Sequence, residues 1–281
     1  MLDIEKNYSA AVDHNAGRLD LSQLDLVIDV PRIDEFPNEQ YALLRKHGLG
    51  TSDSSIICGV NPYTELPELI QEKCRPFLTE EEKEVGNKTA VKKGRDLEPI
   101  IIEKHSKIIG TRIIKPVDMY RHKDIPWLKF NFDGVIDKVD LSDGKYQYIP
   151  DEIKVVTMYG QKHYDRSKAY YREMVGYSTI PEDISKSNNS IATKAAYYGI
   201  PPYYYTQLQQ QILGLNAPYG FLTVMFDKDW EICSYYVWRD DACISLILTN
   251  GMKAWNRICT ITNNENYADT TQLQAEFRGE M

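Results

Sequence analysis

Asn131-Phe132-Asp133-Gly134-Val135-Ile136-Asp137, followed by Pro150-Asp151-Glu152-Ile153-Lys154-Val155-Val156, decides how this 281-residue chain is read. Asp133 closes a strand-like run just before Gly134, where a backbone bends easily. In the second segment side chains alternate faces, so Glu152 and Lys154 point one way and Ile153 and Val155 the other. If the two strands pair, Asp133 and Glu152 converge on one point with Lys154 beside them. Two carboxylates and a main-chain carbonyl form a hard oxygen site suited to Mg²⁺ or Mn²⁺. A lysine there holds an attacking water or helps to deprotonate it, which is the equipment of metal-assisted phosphodiester hydrolysis. The same letters also arise by chance as a cross-strand ion pair on a solvated face. Against that stand Ile149, Ile153, Val155 and Val156, which mark a central strand, where charges need partners.

Working outward, RIIKPV (112–117), WLKFNFDGVIDKVDL (127–141), YQYIPDEIKVVT (146–157), FLTVMFD (221–227) and ICSYYVW (232–238) have strand composition. SDGK at 142–145 fits a hairpin turn. Helices are expected over 38–48, 65–74, 89–107, 203–215 and 240–258. TEEEKE at 79–84 reads as a solvated surface turn. The long stretch 158–216 includes a polar loop around 182–190. Helices followed by a sheet interleaved with helices give one α/β or α+β domain. It divides into an N-terminal arm (1–35), the main domain (36–262) and a polar C-terminal tail (263–281).

Composition excludes other classes. With 42% hydrophobic and 26% charged residues the chain has a real core and is no disordered or collagen-like sequence. A net charge of −8 argues against coating nucleic acid through the overall field, though a local basic groove is still compatible with a nucleic-acid enzyme. Cys58, Cys74, Cys233, Cys243 and Cys259 are odd in number and scattered, which suits packed thiols in a reducing cytoplasm. The sequence carries no run of about 18 apolar residues, and its first residues lack the plan of a signal peptide. P-loop, HExxH and GxSxG motifs are missing from it. GLGTSDSS (48–55) suits the start of a phosphate-binding helix, although a plain cap is sufficient.

Five motifs in order, RKHGLGTS (45–52), GRDLE (94–98), NFDG (131–134), DEIK (151–154) and YYTQLQQQI (204–212), resemble the lambda-exonuclease and YqaJ-type viral recombinase family. These are phage alkaline exonucleases with a restriction-endonuclease-like PD-(D/E)xK core, a central mixed β-sheet flanked by helices. The resemblance implies that Asp133, Glu152 and the carbonyl of Ile153 bind metal and that Lys154 assists the water. Glu98 would be the helix-borne acid of the same centre, which takes two Mg²⁺ ions, with Mn²⁺ as an alternative. Arg45, Ser52, Asn131, Tyr204 and Gln207 would grip the 5′-phosphate of a DNA end. Asn131 stands where the family often has Ser. The helical spacing of Tyr204, Gln207 and Gln211 independently puts them on one face, with Leu208, Ile212 and Leu215 on another.

The implied activity is 5′-to-3′ degradation of double-stranded DNA ends, leaving 3′ overhangs for a single-strand annealing protein. Family members form rings of three or four subunits, so a homo-oligomer is implied. Rival readings are an endonuclease on the same fold and a non-catalytic DNA-end-binding protein. The gap from Lys154 to the glutamine helix is long for the family. Its Lys162, His163, Arg166, Lys168, Tyr170, Tyr171 and Arg172 suit either a strand-contacting lid or a plain surface insertion.

Overall fold

A computed structural model describes residues 16–85, 88–139, 146–169 and 190–279. Residues 1–15 of the expected arm, the turn at 142–145, the loop over 182–189, and Tyr170, Tyr171 and Arg172 lie outside these.

In chain order the elements begin with β1 (Ala16–Gly17), β2 (Leu26–Val30), α1 (Asn38–Lys46), α2 (Ser54–Ile57) and α3 (Leu66–Cys74). Next come α4 (Glu80–Val85), α5 (Thr89–Ile109), β3 (Ile113–Pro116), β4 (Met119–His122) and β5 (Lys129–Phe130). β6 (Gly134–Val139), β7 (Tyr146–Val156), α6 (Ile191–Tyr198) and α7 (Pro202–Gly214) follow. β8 (Tyr219–Phe226), β9 (Ile232–Trp238), α8 (Asp241–Thr262) and α9 (Thr271–Arg278) complete the chain.

The main sheet has the order β1-β3-β6-β7-β8-β9. Its β7–β8 and β1–β3 pairs are parallel and the others antiparallel, so it is mixed, as expected. Helices cover both faces of β7: α5 packs on one and α7 on the other. Ile149, Ile153, Val135, Ile113, Ile101, Ile102, Leu208 and Ile212 are buried between these layers. A second, antiparallel sheet, β2-β4-β5, stands beside the first.

Local chemistry explains the boundaries. Pro202 occupies the first turn of α7, where its missing N–H costs nothing. Ser190 caps α6 by accepting from Thr193, and Gly199 ends it with φ of 72°. Asp240 caps α8 by accepting from the amides of Ala242 and Cys243. The same carboxylate takes bonds from Lys194 (2.6 Å) and Tyr205 (2.7 Å), tying α6, α7 and α8 at one buried point.

Two expected elements are corrected, and the expected arm and tail carry elements of their own. The run 127–141 is two strands, β5 and β6, which belong to different sheets and are separated by Asn131–Asp133. Residues 80–84 are helical, part of α4 and not a surface turn: Thr79 starts the helix by accepting from the Glu82 amide, and Glu82 accepts back from Thr79 N–H. The described part of the expected arm joins both sheets, β2 pairing with β4 and β1 with β3. The expected tail carries α9, whose Leu273 and Phe277 pack on Val30, Phe36, Leu44 and Met119 while Gln274 donates to the Asp29 carbonyl. Polar residues on its outer side conceal that apolar stripe.

The five thiols are free; burial pushes Cys58 up to about 12 and Cys233 up to about 11. They are packed, as expected.

Candidate active site

β6 and β7 pair antiparallel with Gly134 opposite Asp151, so Asp133, one step before β6, lies at the level of Glu152. A Cβ on Gly134 would stand 2.9 Å from Ile113 Cγ2, so glycine is what lets β6 start against β3 here. Asp133 Oδ2 accepts from the Ile153 amide at 3.1 Å, which locks the carboxylate to β7.

The expected donors converge on a single cationic atom. Lys154 Nζ donates to Asp133 Oδ2 at 3.0 Å and to the Ile153 carbonyl at 2.9 Å, and also bonds Glu152 Oε1. Asp133, Glu152, Ile153 and Lys154 are therefore together. Glu152 is fully buried, and α7 satisfies it: Gln207 donates to Oε1 and Gln211 to Oε2, the latter at 2.5 Å. Gln211 also donates to the Asn131 carbonyl at 3.3 Å, so one amide braces both sides of the site.

These surroundings set the protonation states. Burial, then Asp133, push the Glu152 carboxyl up to about 8 against the pull of Lys154 and Gln211. Burial opposes the Lys154 ammonium, but Asp133 and Glu152 hold its pKa well above the ordinary lysine value. Lys154 is thus an ammonium at neutral pH and offers protons rather than accepting them. Glu98 does not touch this cluster. It pairs with Lys115 at 2.6 Å, while burial, followed by the nearby Asp133 charge, raises its pKa. Among the described residues, no three His, Cys, Asp or Glu side chains are grouped to hold one ion. What fits a hard cation is the mixed set of Asp133, Glu152 and the Ile153 carbonyl, since all three already point at one positive atom.

The expected phosphate residues fall into two linked groups. Arg45 donates to Ser52 Oγ at 3.1 Å from an exposed position at the end of α1. Ser52 lies in a tight turn, Thr51–Asp53, that packs against α7. Buried Lys73 fixes this corner: it bonds Asp53 at 2.8 Å and donates to the Arg45 carbonyl at 3.2 Å. Asp53 in turn accepts from Gly50 N–H at 2.8 Å. Tyr41, 6.0 Å beneath the Arg45 guanidinium, accepts from Asn131 Nδ2 and so connects Arg45 to Asn131. Tyr204 and Gln207 sit instead beside Lys154 and Glu152. The Tyr204 ring lies 5.7 Å from Lys154 Nζ, and Gln207 is committed to Glu152.

Of the lid residues, Arg166 bonds Asp229 at 2.7 Å and Glu231 at 2.5 Å and lies 3.8 Å over Phe226. Lys168 donates to the Ala196 carbonyl at 2.7 Å. These contacts tie the stretch after β7 to the β8–β9 connection and to α6.

Sequence reasoning missed the buried group behind β7. Asp151 points away from Glu152, toward α5, where His105 and Thr223 meet it. A single histidine in an amphipathic helix gives no periodic signal. Tyr41 and Lys73 were also overlooked; only their burial and partners mark them.

The model of the YqaJ-like viral recombinase domain matches residues 40–214. Among solved structures the chain is similar to an alkaline exonuclease, LHK-Exo, from Laribacter hongkongensis. That match has 15% identity and a TM-score of 0.48, covering 84% of this chain and 92% of the other. LHK-Exo in complex with dAMP is similar at 15% identity and a TM-score of 0.47, covering 86% and 96% respectively. No curated protein matches the chain.

Proposed function

The chain belongs to the family of YqaJ-like viral recombinase domains and is a nuclease, a hydrolase acting on DNA; from that premise we propose a Mg²⁺-dependent exonuclease that resects the 5′ strand of duplex ends. The 3′ single strands left behind would be substrates for an annealing protein in phage-type recombination. A ring-shaped homo-oligomer in the cytoplasm belongs to the same reading. Supporting it is one observation above others: Asp133, Glu152 and the Ile153 carbonyl converge on one cationic point at the junction of two strands.

Those three oxygens would hold Mg²⁺, with Mn²⁺ as the alternative and Glu98 available to a second ion. A divalent ion there supplies positive charge against the phosphate and lowers the pKa of water. The protein's own part is positional. Gln207 and Gln211 fix both oxygens of Glu152, and the Ile153 amide fixes Asp133. Lys154, as an ammonium, donates to the phosphate or to the attacking water. Arg45 and Ser52 would take the terminal 5′-phosphate, Arg through its planar fork. Asn131 orients Tyr41 beneath Arg45, and Tyr204 faces the strand beside Lys154.

The deciding experiment is digestion of linear, nicked and covalently closed duplexes with Mg²⁺, the linear form bearing either 5′-phosphate or 5′-hydroxyl ends. Linear duplex should be lost from the 5′ strand, fastest with the phosphate, while closed circles survive. Rapid cutting of closed circles would instead favour an endonuclease.

A further inference from the structure

Tyr63 is 79% exposed, in the connection between α2 and α3, yet it is held in place. Asn61 Oδ1 accepts from the amides of Tyr63 (2.8 Å) and Thr64 (3.0 Å), and Asn61 Nδ2 donates to Ser55 Oγ at 2.8 Å. The ring is therefore presented by a pinned turn. Behind it stands Tyr203, with centroids 6.2 Å apart and planes at 64°. Tyr204 comes next, 4.5 Å from Tyr203, and its ring lies 5.7 Å from Lys154 Nζ. Three rings thus run without a gap from the cation of the active site to open solvent.

The inner two belong to α7, whose Gln207 and Gln211 hold Glu152, so the row is mechanically continuous with the catalytic strand. Its outer member contributes nothing to the core, because nearly all its surface is wet. A chain of net charge −8 also gains little DNA affinity from its overall field. Aromatic faces supply attraction that does not depend on base identity, as every base has a π-face.

We propose that Tyr63, Tyr203 and Tyr204 form a base-stacking surface for unpaired nucleotides of the strand being cut, with Tyr63 as its outermost platform. This rests on the exonuclease reading above but concerns binding, so it is tested without cleavage. The probe is a 5′-phosphorylated single-stranded deoxyoligonucleotide of about ten residues, within the usual span of such sites. It carries 2-aminopurine near its 5′ end and is titrated with wild type, Tyr63→Ala and Tyr63→Trp in EDTA. Wild type and Tyr63→Trp should quench the fluorophore by stacking. Tyr63→Ala should abolish the quench and weaken binding about tenfold, a loss typical of one base–aromatic contact. Replacing the stacked nucleotide by an abasic one should weaken wild type to the same level and leave Tyr63→Ala unchanged.

Equal affinity and equal quenching for wild type and Tyr63→Ala would overturn the inference and reduce the rings to surface packing. A parallel digestion of duplex ends by wild type in Mg²⁺ keeps the two readings apart. No digestion would refute the exonuclease reading, while digestion with indifferent Tyr63→Ala binding would refute only the stacking surface.

Discussion

His105 Nδ1 lies 2.7 Å from Asp151 Oδ2, and neither side chain touches solvent. Thr223 closes the group, donating to Asp151 Oδ1 at 2.6 Å. His105 Nε2 has no partner among the described residues, so a proton on Nδ1 leaves no buried N–H unpaired. The pair bolts α5 to β7 one residue from Glu152. Removing His105 leaves buried Asp151 Oδ2 without its donor, and His105→Ala should destabilise the fold by about 1–3 kcal/mol in urea unfolding. A double-mutant cycle with Asp151→Asn should show coupling above about 1 kcal/mol. Simple additivity would deny the bolt.

Glu152→Ala or Asp133→Ala should reduce Mg²⁺-dependent cleavage at least about a hundredfold, as losses of positioned charge do. Asp133→Ala, at a partly open position, should leave folding nearly intact. Glu152→Ala leaves the buried Gln211 amide and its neighbour Gln207 without their acceptor and should cost about 1–3 kcal/mol, so an unfolding curve accompanies each assay. Lys154→Ala should be similarly inactive but still bind Mg²⁺, measured by calorimetry. Cleavage at the wild-type rate by Glu152→Ala would remove the metal assignment.

Metal binding should release protons. The Glu152 carboxyl, raised to about 8 by burial and Asp133, is substantially protonated at neutral pH, and a cation must displace that proton. Apparent Mg²⁺ affinity should therefore climb from pH 6 to pH 8 and level off above about 8. Calorimetry in buffers of different ionisation enthalpy measures the released proton; a flat affinity profile would contradict the environment described for Glu152.

Glu82 should govern part of the acid stability. Burial alone would raise its pKa, but the Thr79 amide, Arg75 and Lys46 hold it at about 2. A depressed carboxyl binds fewer protons in the native state than in the unfolded one. Its contribution is present above the ordinary value of 4.5 and disappears as pH falls through about 2. Glu82→Gln should cost about 1–2 kcal/mol at pH 7, discounted for its partly open rim, and almost nothing near pH 2. Unfolding curves at the two pH values decide this.

Arg45→Ala should shrink the preference for 5′-phosphate over 5′-hydroxyl ends by about tenfold or more, as a charge-assisted hydrogen bond to phosphate is worth about 1.5–3 kcal/mol. Mg²⁺ binding should not change. Comparing initial rates on both substrates separates loss of end recognition from general loss of activity.

Strand β7 was legible because a period of two sorts it by itself, putting Glu152 and Lys154 on one side and Ile153 on the other. The glutamine face of α7 was legible for the same kind of reason, at helical spacing. What escaped was set by tertiary partners. Lys129 and Phe130 have the same strand composition as Val135 and Ile136, so nothing in the letters shows that they join another sheet. Gln209 and Gln210 look like solvent residues but are buried, because their amides meet the carbonyls of Trp238, Leu49 and Lys129. His105 and Asp151 are 46 residues apart and carry no local pattern that joins them.

Lys154, lying among the oxygens proposed for the metal, gives the protein an internal counter-ion. With one ammonium and the proton held by Glu152, the acidic cluster is neutralised before any ion arrives. Zinc-finger domains, by contrast, stay unfolded until their metal binds. Here assembly and activation are uncoupled: chelated protein should melt within a few degrees of the Mg²⁺-loaded form. Such a chain would reach its fold without the cation, and the ion proposed here would govern its activity alone.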